Sequence, residues 1–298
     1  MKILVLGGSG LIGDHFITNS KAHDITTTYN NNKINFPNVI SKKINLPENW
    51  SGLEELILNQ KPDIVLNSIA NSNADFCEMN REDTFNLHVN ITKKITDVCS
   101  KINSKIIFLS TDYVFDGKSN NKYKETDETN PINYYGKTKD AAEKIILKNE
   151  NNLVIRTSMV YGSSSKVRFL RYVIENLQKN QEINTYDDIF NSATLLDDLI
   201  DGIFKVIETN ARGIYHMVGS SCVSRFDFAK IVAKKFNFDE NLIKPVSIKS
   251  ANLKAERPIN PCLDNSKVTN ELEIKFSTIN EGIKKVYEKR NSLGIFGI

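Results

Sequence analysis

Ile3-Leu4-Val5-Leu6-Gly7-Gly8-Ser9-Gly10-Leu11-Ile12-Gly13 is the stretch that decides the fold. Four apolar residues in a row read as a strand buried on both faces. The glycine turn follows at once, and Phe16 and Ile17 among polar neighbours read as a helix. Residues 8–13 match G-x-G-x-x-G in the strand, turn and helix setting that gives the motif its meaning. The physical demand is for small residues, which let backbone N–H groups and a helix N-terminus approach a pyrophosphate and let the helix pack close. A plain glycine-rich turn is the competing reading, disfavoured by this placement. The stretch therefore predicts a dinucleotide site opening a Rossmann-type α/β domain.

Working outward, the alternation continues. Strands are expected at 25–29, 63–70, 105–110 and 153–156, with helices at 53–59, about 81–100 and from Tyr134 onward. Beyond them, helices are expected near 167–179 and 196–209 and strands at 183–186 and 214–218. Ser224 with Asp227, and Thr278 with Glu281, have capping-box spacing that starts helices at 225–236 and 279–290. The pattern predicts a doubly wound parallel sheet with a smaller C-terminal α/β lobe. Residues 1–160, with a return segment at about 185–220, are expected to form the NAD(P)-binding domain, and 161–298 mainly the substrate lobe. No Pro/Gly-rich linker separates the two, so the chain is expected to cross between them.

The second strand runs out in Thr28-Tyr29-Asn30-Asn31-Asn32-Lys33, where an NAD-selective site usually places Asp or Glu against the ribose 2′-hydroxyl. No carboxylate repels a 2′-phosphate here, and Lys33 could attract one, a solvated loop lysine being the alternative. NADPH is thus favoured, with NADH the other possibility. Ser68-Ile69-Ala70 ends the next strand in a small-residue loop beside the cofactor.

Composition excludes several classes. With 298 residues, 40% hydrophobic and 25% charged, the chain buries a sizeable core, so disorder is not expected. A net charge of +3, with no long Lys/Arg run, argues against a nucleic-acid partner. No apolar stretch approaches the roughly 20 residues of a membrane span, and the N-terminal apolar run is too short for a signal peptide, so a cytoplasmic protein is expected. Cys77, Cys99, Cys222 and Cys262 are far apart with no C-x-x-C pair. They are expected to be four reduced, structural thiols, with neither a disulfide framework nor a zinc cluster.

The candidate chemistry lies in Thr111-Asp112-Tyr113 and Tyr135-Gly136-Lys137-Thr138-Lys139. A free phenol titrates near pH ~10, so a tyrosine that exchanges a proton at neutral pH needs a positive charge nearby. In a helix beginning near Tyr134, residues 135 and 139 sit one turn apart on the same face, and Lys139 can supply that charge. Alone, Tyr-x-x-x-Lys is as well explained by an ordinary amphipathic helix start. Thr111 adds weight, because it ends a buried strand at the carboxyl edge, where ligands bind in open α/β sheets.

In this order, Gly7-x-x-Gly10-x-x-Gly13, Ser110-Thr111-Asp112-Tyr113-Val114-Phe115-Asp116-Gly117 and Tyr135-Gly136-Lys137-Thr138-Lys139 resemble the extended short-chain dehydrogenase/reductases. Within them the chain is similar to the dTDP-4-dehydrorhamnose reductase family, a similarity that extends to residues 70–78, Asn191-Ser192-Ala193-Thr194, Gly213-Ile214-Tyr215-His216, Arg257-Pro258 and Leu263-Asp264. The resemblance implies catalytic roles for Thr111, Tyr135 and Lys139. Tyr135 would protonate a substrate carbonyl oxygen while a nicotinamide delivers hydride to its carbon. Lys139 would lower the phenol's pKa and hydrogen-bond the nicotinamide ribose, and Thr111 would orient the carbonyl. Cofactor contacts are implied at Gly7, Gly10, Leu11, Ile12, Gly13, Ser68, Ile69, Ala70, Tyr135 and Lys139. Substrate contacts are implied at Thr111, Tyr113, Thr194 and Arg257, with simple packing the equal alternative for Tyr113.

The implied reaction is NAD(P)H-dependent reduction of the 4-keto group of a nucleotide-activated 6-deoxysugar, dTDP-4-dehydro-L-rhamnose to dTDP-L-rhamnose. It needs no metal, and the resemblance allows a homodimer. Two other readings stand beside it: a sugar-nucleotide epimerase or dehydratase of the same fold, and a non-catalytic NAD(P)-binding subunit like the methionine adenosyltransferase beta subunit. The chain departs from the family pattern in four places. Met159 stands where a substrate-contacting Trp is common, Arg168 where Asn precedes Phe169, Asn45 where an adenine-side Asp is frequent, and His88 where a helix Asn helps hold the active-site loop. His88 reads either as a packed structural histidine or as a titrating relay.

Overall fold

The structure, a computed structural model, describes residues 1–20 and 22–293. The chain opens with β1 (Lys2–Leu6), α1 (Leu11–Asn19), β2 (Asp24–Tyr29), β3 (Ile40–Lys43), α2 (Trp50–Gln60) and β4 (Ile64–Asn67). A helical run follows as α3 (Ala74–Met79), α4 (Arg81–Phe85), a π-turn at Asn86–Asn90 and α5 (Ile91–Lys101). It leads into β5 (Lys105–Thr111), α6 (Tyr134–Ile146) and β6 (Leu153–Thr157). Then come β7 (Val160–Tyr161), α7 (Phe169–Leu177), β8 (Ile183–Tyr186), β9 (Phe190–Ser192), β10 (Thr194–Leu195), α8 (Leu196–Glu208) and β11 (Gly213–His216). The last elements are β12 (Cys222–Ser224), α9 (Arg225–Phe236), β13 (Ile243–Val246), α10 (Ser266–Leu272) and α11 (Ile279–Leu293).

Seven strands form one sheet in the order β11-β6-β5-β4-β1-β2-β3. The order reverses beside β1, which pairs in parallel with β2 on one side and β4 on the other, the switch point at which open α/β sheets bind ligands. The Rossmann-type sheet expected from the alternation is therefore present. Its strands are apolar runs because both faces are covered: Leu4, Leu6, Val65, Ile106, Phe108 and Val154 share one core cluster with Leu53 and Ile57 of α2 and Ile95 and Val98 of α5. Three threonines of β2 are buried as well, and the Thr27 hydroxyl is satisfied by the Val5 carbonyl at 2.9 Å. Helix starts are set by short polar caps: Asn49, Asn73, Asn133 and Ser224 each accept a backbone N–H from the first turn they precede.

The helix expected over about 81–100 is interrupted, because Asn86–Asn90 forms a π-turn between α4 and α5. Such a turn leaves no mark in hydrophobic periodicity over a short window. The strand expected at 183–186 is present, and it pairs with β13 rather than with the main sheet.

The chain forms two compact units. The first comprises Met1–Val114, Pro131–Arg156 and Val206–Tyr215, and the second Phe115–Asn130, Thr157–Lys205 and His216–Ile298. In the second unit α9 packs against α7, α11, β8 and β13. Segment 115–130 belongs to this unit because Tyr123 exchanges backbone bonds with Cys262 (2.8 Å) and Asp264 (2.7 Å), and its ring stacks on Phe115. No described helix is long and apolar enough to cross a membrane.

The expectation of four reduced cysteines is overturned. Cys222 and Cys262 form a disulfide with Cα atoms 5.9 Å apart, while Cys77 and Cys99 are free and buried. The cause lies in β9: Ser192 is the register partner of Cys222, and its hydroxyl accepts from the Leu263 N–H at 3.0 Å. One residue thus draws together two cysteines 40 positions apart, which spacing alone does not reveal. Alkylation in denaturant without reductant is expected to label Cys77 and Cys99 only, and all four cysteines after reduction. Reduction is expected to cost about 2–4 kcal/mol of stability. Full labelling before reduction would remove the bridge.

Candidate active site

The glycine turn is stitched to its neighbours by backbone. Gly8 N–H donates to Thr28 O at 2.9 Å, Ser68 N–H donates to Leu6 O at 3.1 Å, and the Ser68 hydroxyl reaches the same carbonyl at 2.7 Å. The ends of β1, β2 and β4 therefore meet at residues 7–8 and 68. Gly7 has φ +84°, and a Cβ on Gly13 would lie 2.5 Å from the Gly7 carbonyl oxygen, so α1 can close on the turn only with glycine there. Gly10 caps α1 with no side-chain bond, and Leu11 and Ile12 make the helix's first turn. Ser68 and Ile69 line the position beside Gly7, and Ala70 is exposed.

Thr111 ends β5 and is buried. Its hydroxyl donates to Asp112 Oδ1 at 3.0 Å and accepts from the Tyr113 N–H at 3.2 Å. Helix α6 comes to this strand end through its first turn. Asn133 accepts from the Gly136 N–H at 2.9 Å, the Tyr134 N–H donates to Glu78 Oε2 at 2.9 Å, and the bare Cα of Gly136 rests on the Tyr113 carbonyl, where a Cβ would sit 2.1 Å from oxygen. Tyr135 is placed with its ring edge-on to Tyr113 and His88, at 5.8 and 5.9 Å, and Thr111 is among the side chains that act on its phenol. Burial pushes the Tyr135 pKa up, against the pull of Thr111. That direction is opposite to the lowering expected from a neighbouring lysine, because burial dominates and Asp112 adds to it.

Lys139 lies one turn further along α6 and is 2% exposed. Its Nζ donates to the Leu109 carbonyl at 2.7 Å and sits 3.9 Å from the centre of the Phe108 ring. Burial lowers its pKa to about 7, with the Glu143 carboxylate acting the other way. Thr111, Tyr135 and Lys139 are thus brought together within the first unit.

His88 projects from the π-turn into this cluster. Its Nε2 accepts the Asn71 N–H at 3.0 Å, which leaves Nδ1 as the protonated nitrogen, donating to Thr138 Oγ1 at 2.9 Å. Thr138 in turn donates to the Tyr135 carbonyl at 2.9 Å. Burial, aided by the Lys139 charge, lowers the His88 pKa to about 3. With both nitrogens occupied, the neutral packed histidine is the reading that stands.

In the second unit, Thr194 is fully buried, its hydroxyl donating to Ser192 O at 3.0 Å and accepting from the Gly219 N–H at 3.3 Å. Arg257 is half-buried and donates to Ala255 O at 2.7 Å. Met159 has φ +36°, an uncommon conformation for a side chain of its size, and its carbonyl accepts the Thr194 N–H at 3.2 Å. Sequence reasoning passed over Asn133, Gly136, Ser110, Glu143 and Arg156. Asn133 was legible as an N-cap and Glu143 as the i+4 neighbour of Lys139, whereas Ser110 and Arg156 carry no local signal.

A glycine turn of this kind on a seven-stranded parallel sheet, with a Tyr-x-x-x-Lys helix against the fifth strand, places the chain in the class of the extended short-chain dehydrogenases and reductases. Within that class it belongs to the family described as RmlD substrate binding domain, whose model matches residues 1–292. The chain is 30% identical over 239 residues to a dTDP-4-dehydrorhamnose reductase of Aggregatibacter actinomycetemcomitans, covering 76% of this chain and 81% of that one. A hypothetical dTDP-4-dehydrorhamnose reductase from Sulfolobus tokodaii has the same fold, with 30% identity, a TM-score of 0.85 and coverage of 95% and 99% of the two chains. The dTDP-4-dehydrorhamnose reductase of Bacillus anthracis, solved in complex with NADP, superposes with a TM-score of 0.86 at 24% identity, covering 97% of this chain and 99% of that one.

The depressed Lys139 pKa has a measurable consequence. Between about pH 7 in the folded chain and about pH 10.4 in the unfolded one, only the unfolded chain binds the proton, so this group's contribution to stability rises with pH across that window. Lys139→Met is therefore expected to be most stabilised relative to wild type at pH 7 and below, with the gain shrinking towards pH 10. Urea unfolding of both proteins at the two ends of the window checks this, and a difference that does not change with pH would mean the ammonium is not desolvated.

Proposed function

We propose that the chain is an NADPH-dependent reductase of the 4-keto group of a nucleotide-activated 6-deoxysugar, working in the cytoplasm, with dTDP-4-dehydro-L-rhamnose as its substrate. The observation that carries the reading is Tyr135 set edge-on to Tyr113 at the carboxyl end of β5, with Lys139 one helical turn beyond it and anchored on Leu109 of the same strand. The residues around the glycine turn suit the cofactor. Only backbone approaches Gly10 and Gly13, the first turn of α1 with Leu11 and Ile12 has no side-chain cap, and β2 ends at Tyr29 with no carboxylate to repel a 2′-phosphate. Ser68, Ile69 and Ala70 would form the wall beside it. When bound, the cofactor supplies the hydride.

In this reading the chain's own residues handle the proton. Tyr135 gives its phenolic proton to the carbonyl oxygen as that oxygen gains charge, and its raised pKa keeps it protonated at neutral pH beforehand. Thr111 holds the carbonyl oxygen beside the phenol. Lys139 stabilises the phenolate left behind and holds the nicotinamide ribose, one donor remaining on Leu109. Tyr113, edge-on to Tyr135, faces the sugar. Arg257 meets the diphosphate, and Thr194, whose hydroxyl is committed to Ser192 and Gly219, supports the substrate side through the backbone it fixes.

The test is incubation of the purified protein with NADPH or NADH and a panel of nucleotide 4-ketosugars, following absorbance and products. Oxidation of NADPH with reduction at C4 is expected, and no oxidation with any ketosugar would sink the reading in favour of a binding subunit. Tyr135→Phe is expected to lower kcat by about 10²–10⁴-fold with NADPH affinity nearly unchanged, because the hydroxyl acts in the transition state. Unchanged turnover would assign the proton to another group.

A further inference from the structure

Behind the tyrosine and lysine lies a buried ion pair that the proposed chemistry leaves unused. Glu143 follows Lys139 by one turn of α6, and its carboxylate accepts from Arg156 on β6, with Nε 3.1 Å from each oxygen and Nη2 2.7 Å from Oε2. Ser110, next to Thr111 on β5, donates its hydroxyl to Oε1. The Glu143 and Arg156 side chains are only 2% and 3% exposed. Opposite charges at this helical spacing commonly pair. Lys139 instead donates to the Leu109 carbonyl, while Glu143 is already satisfied from its other side.

We propose that Ser110 and Arg156, by holding the Glu143 carboxylate, are positioning residues for Lys139: they keep a negative charge close enough to favour its ammonium and too committed to capture it. The inference rests on the reading that Lys139 serves the cofactor and Tyr135. The groups facing Lys139 are few. Glu143 shares its helix and the π-turn contributes neutral His88, while Asp112 and the Cys77 thiol act on Tyr135 one turn away and Arg156 of β6 meets Glu143. Burial works against the ammonium, and Glu143 is what opposes it.

The proposal makes two substitutions move one measurement in opposite directions. The measurement is NADPH affinity against pH, followed by nicotinamide fluorescence, with a midpoint where Lys139 loses its proton. Arg156→Gln releases Glu143 to pair with Lys139, so the midpoint is expected to rise by about one pH unit. Glu143→Gln removes the favouring charge, so the midpoint is expected to fall by about the same amount. Because Glu143→Gln leaves Arg156 without its carboxylate, the neutral pair Glu143→Gln/Arg156→Gln repeats the downward shift with no unmatched buried charge. Lys139→Met is expected to abolish the midpoint. Shifts of both single variants in the same direction, a folded double variant with the wild-type midpoint, or a wild-type affinity that is flat between about pH 6 and 9 would overturn the proposal. Since the readout is cofactor binding, failure to reduce any ketosugar overturns the reductase reading and leaves this one standing.

Discussion

The site depends on a contact between a helix and a carbonyl. The first turn of α6 lies directly on the Tyr113 backbone, which only a residue without a Cβ allows, and Gly136 occupies that point. The same turn is held by the Asn133 cap and by the Glu78 carboxylate on the Tyr134 N–H. Caps of this kind are worth about 1 kcal/mol each, so no single one of them sets the helix in place. Together with the glycine contact they determine where Tyr135 and Lys139 stand relative to Thr111. Residues 78, 133 and 136 thus place the side chains of 135 and 139 against the end of β5.

Desolvation then governs the electrostatics. Within one small volume it pushes a phenol up, brings a lysine down to about 7 and a histidine down to about 3. Where water is excluded, each remaining hydrogen bond counts for more than it would at the surface. The His88 chain illustrates this, because a backbone N–H on one side and a hydroxyl on the other assign its single proton and leave no place for a second. Lys139 supplies the cation of the cluster, and the carboxylate that favours its charge is tied to Arg156.

Legibility in the sequence followed the range of the interactions. Strand, glycine turn and helix at residues 3–19 were readable because every contact that matters there is local or follows from burial on two faces. The α6 start was readable for the same reason, through i to i+4 spacing. The Cys222–Cys262 bridge was not, since it depends on β9 setting two distant segments side by side. Nor was the Ser110–Glu143–Arg156 cluster, whose members come from two strands and a helix with no shared spacing. The resemblance implied a substrate contact at Thr194, and its burial and two internal hydrogen bonds reveal what its hydroxyl does.

The π-turn at Asn86–Asn90 divides one long helical run into two phases. Before it, Thr84 and Cys77 serve the loop around Asn71 and Asn80; after it, Ile91, Ile95, Val98 and Cys99 face the sheet. An α-helix advances about 100° per residue, so the extra residue held in the turn rotates the second half by that angle against the first. His88 sits on the seam, aimed at α6 by the offset itself. The run is therefore length-locked: gaining or losing one residue there would detune one phase from the other, which makes this interior helix a less forgiving place for insertions than the loops around it.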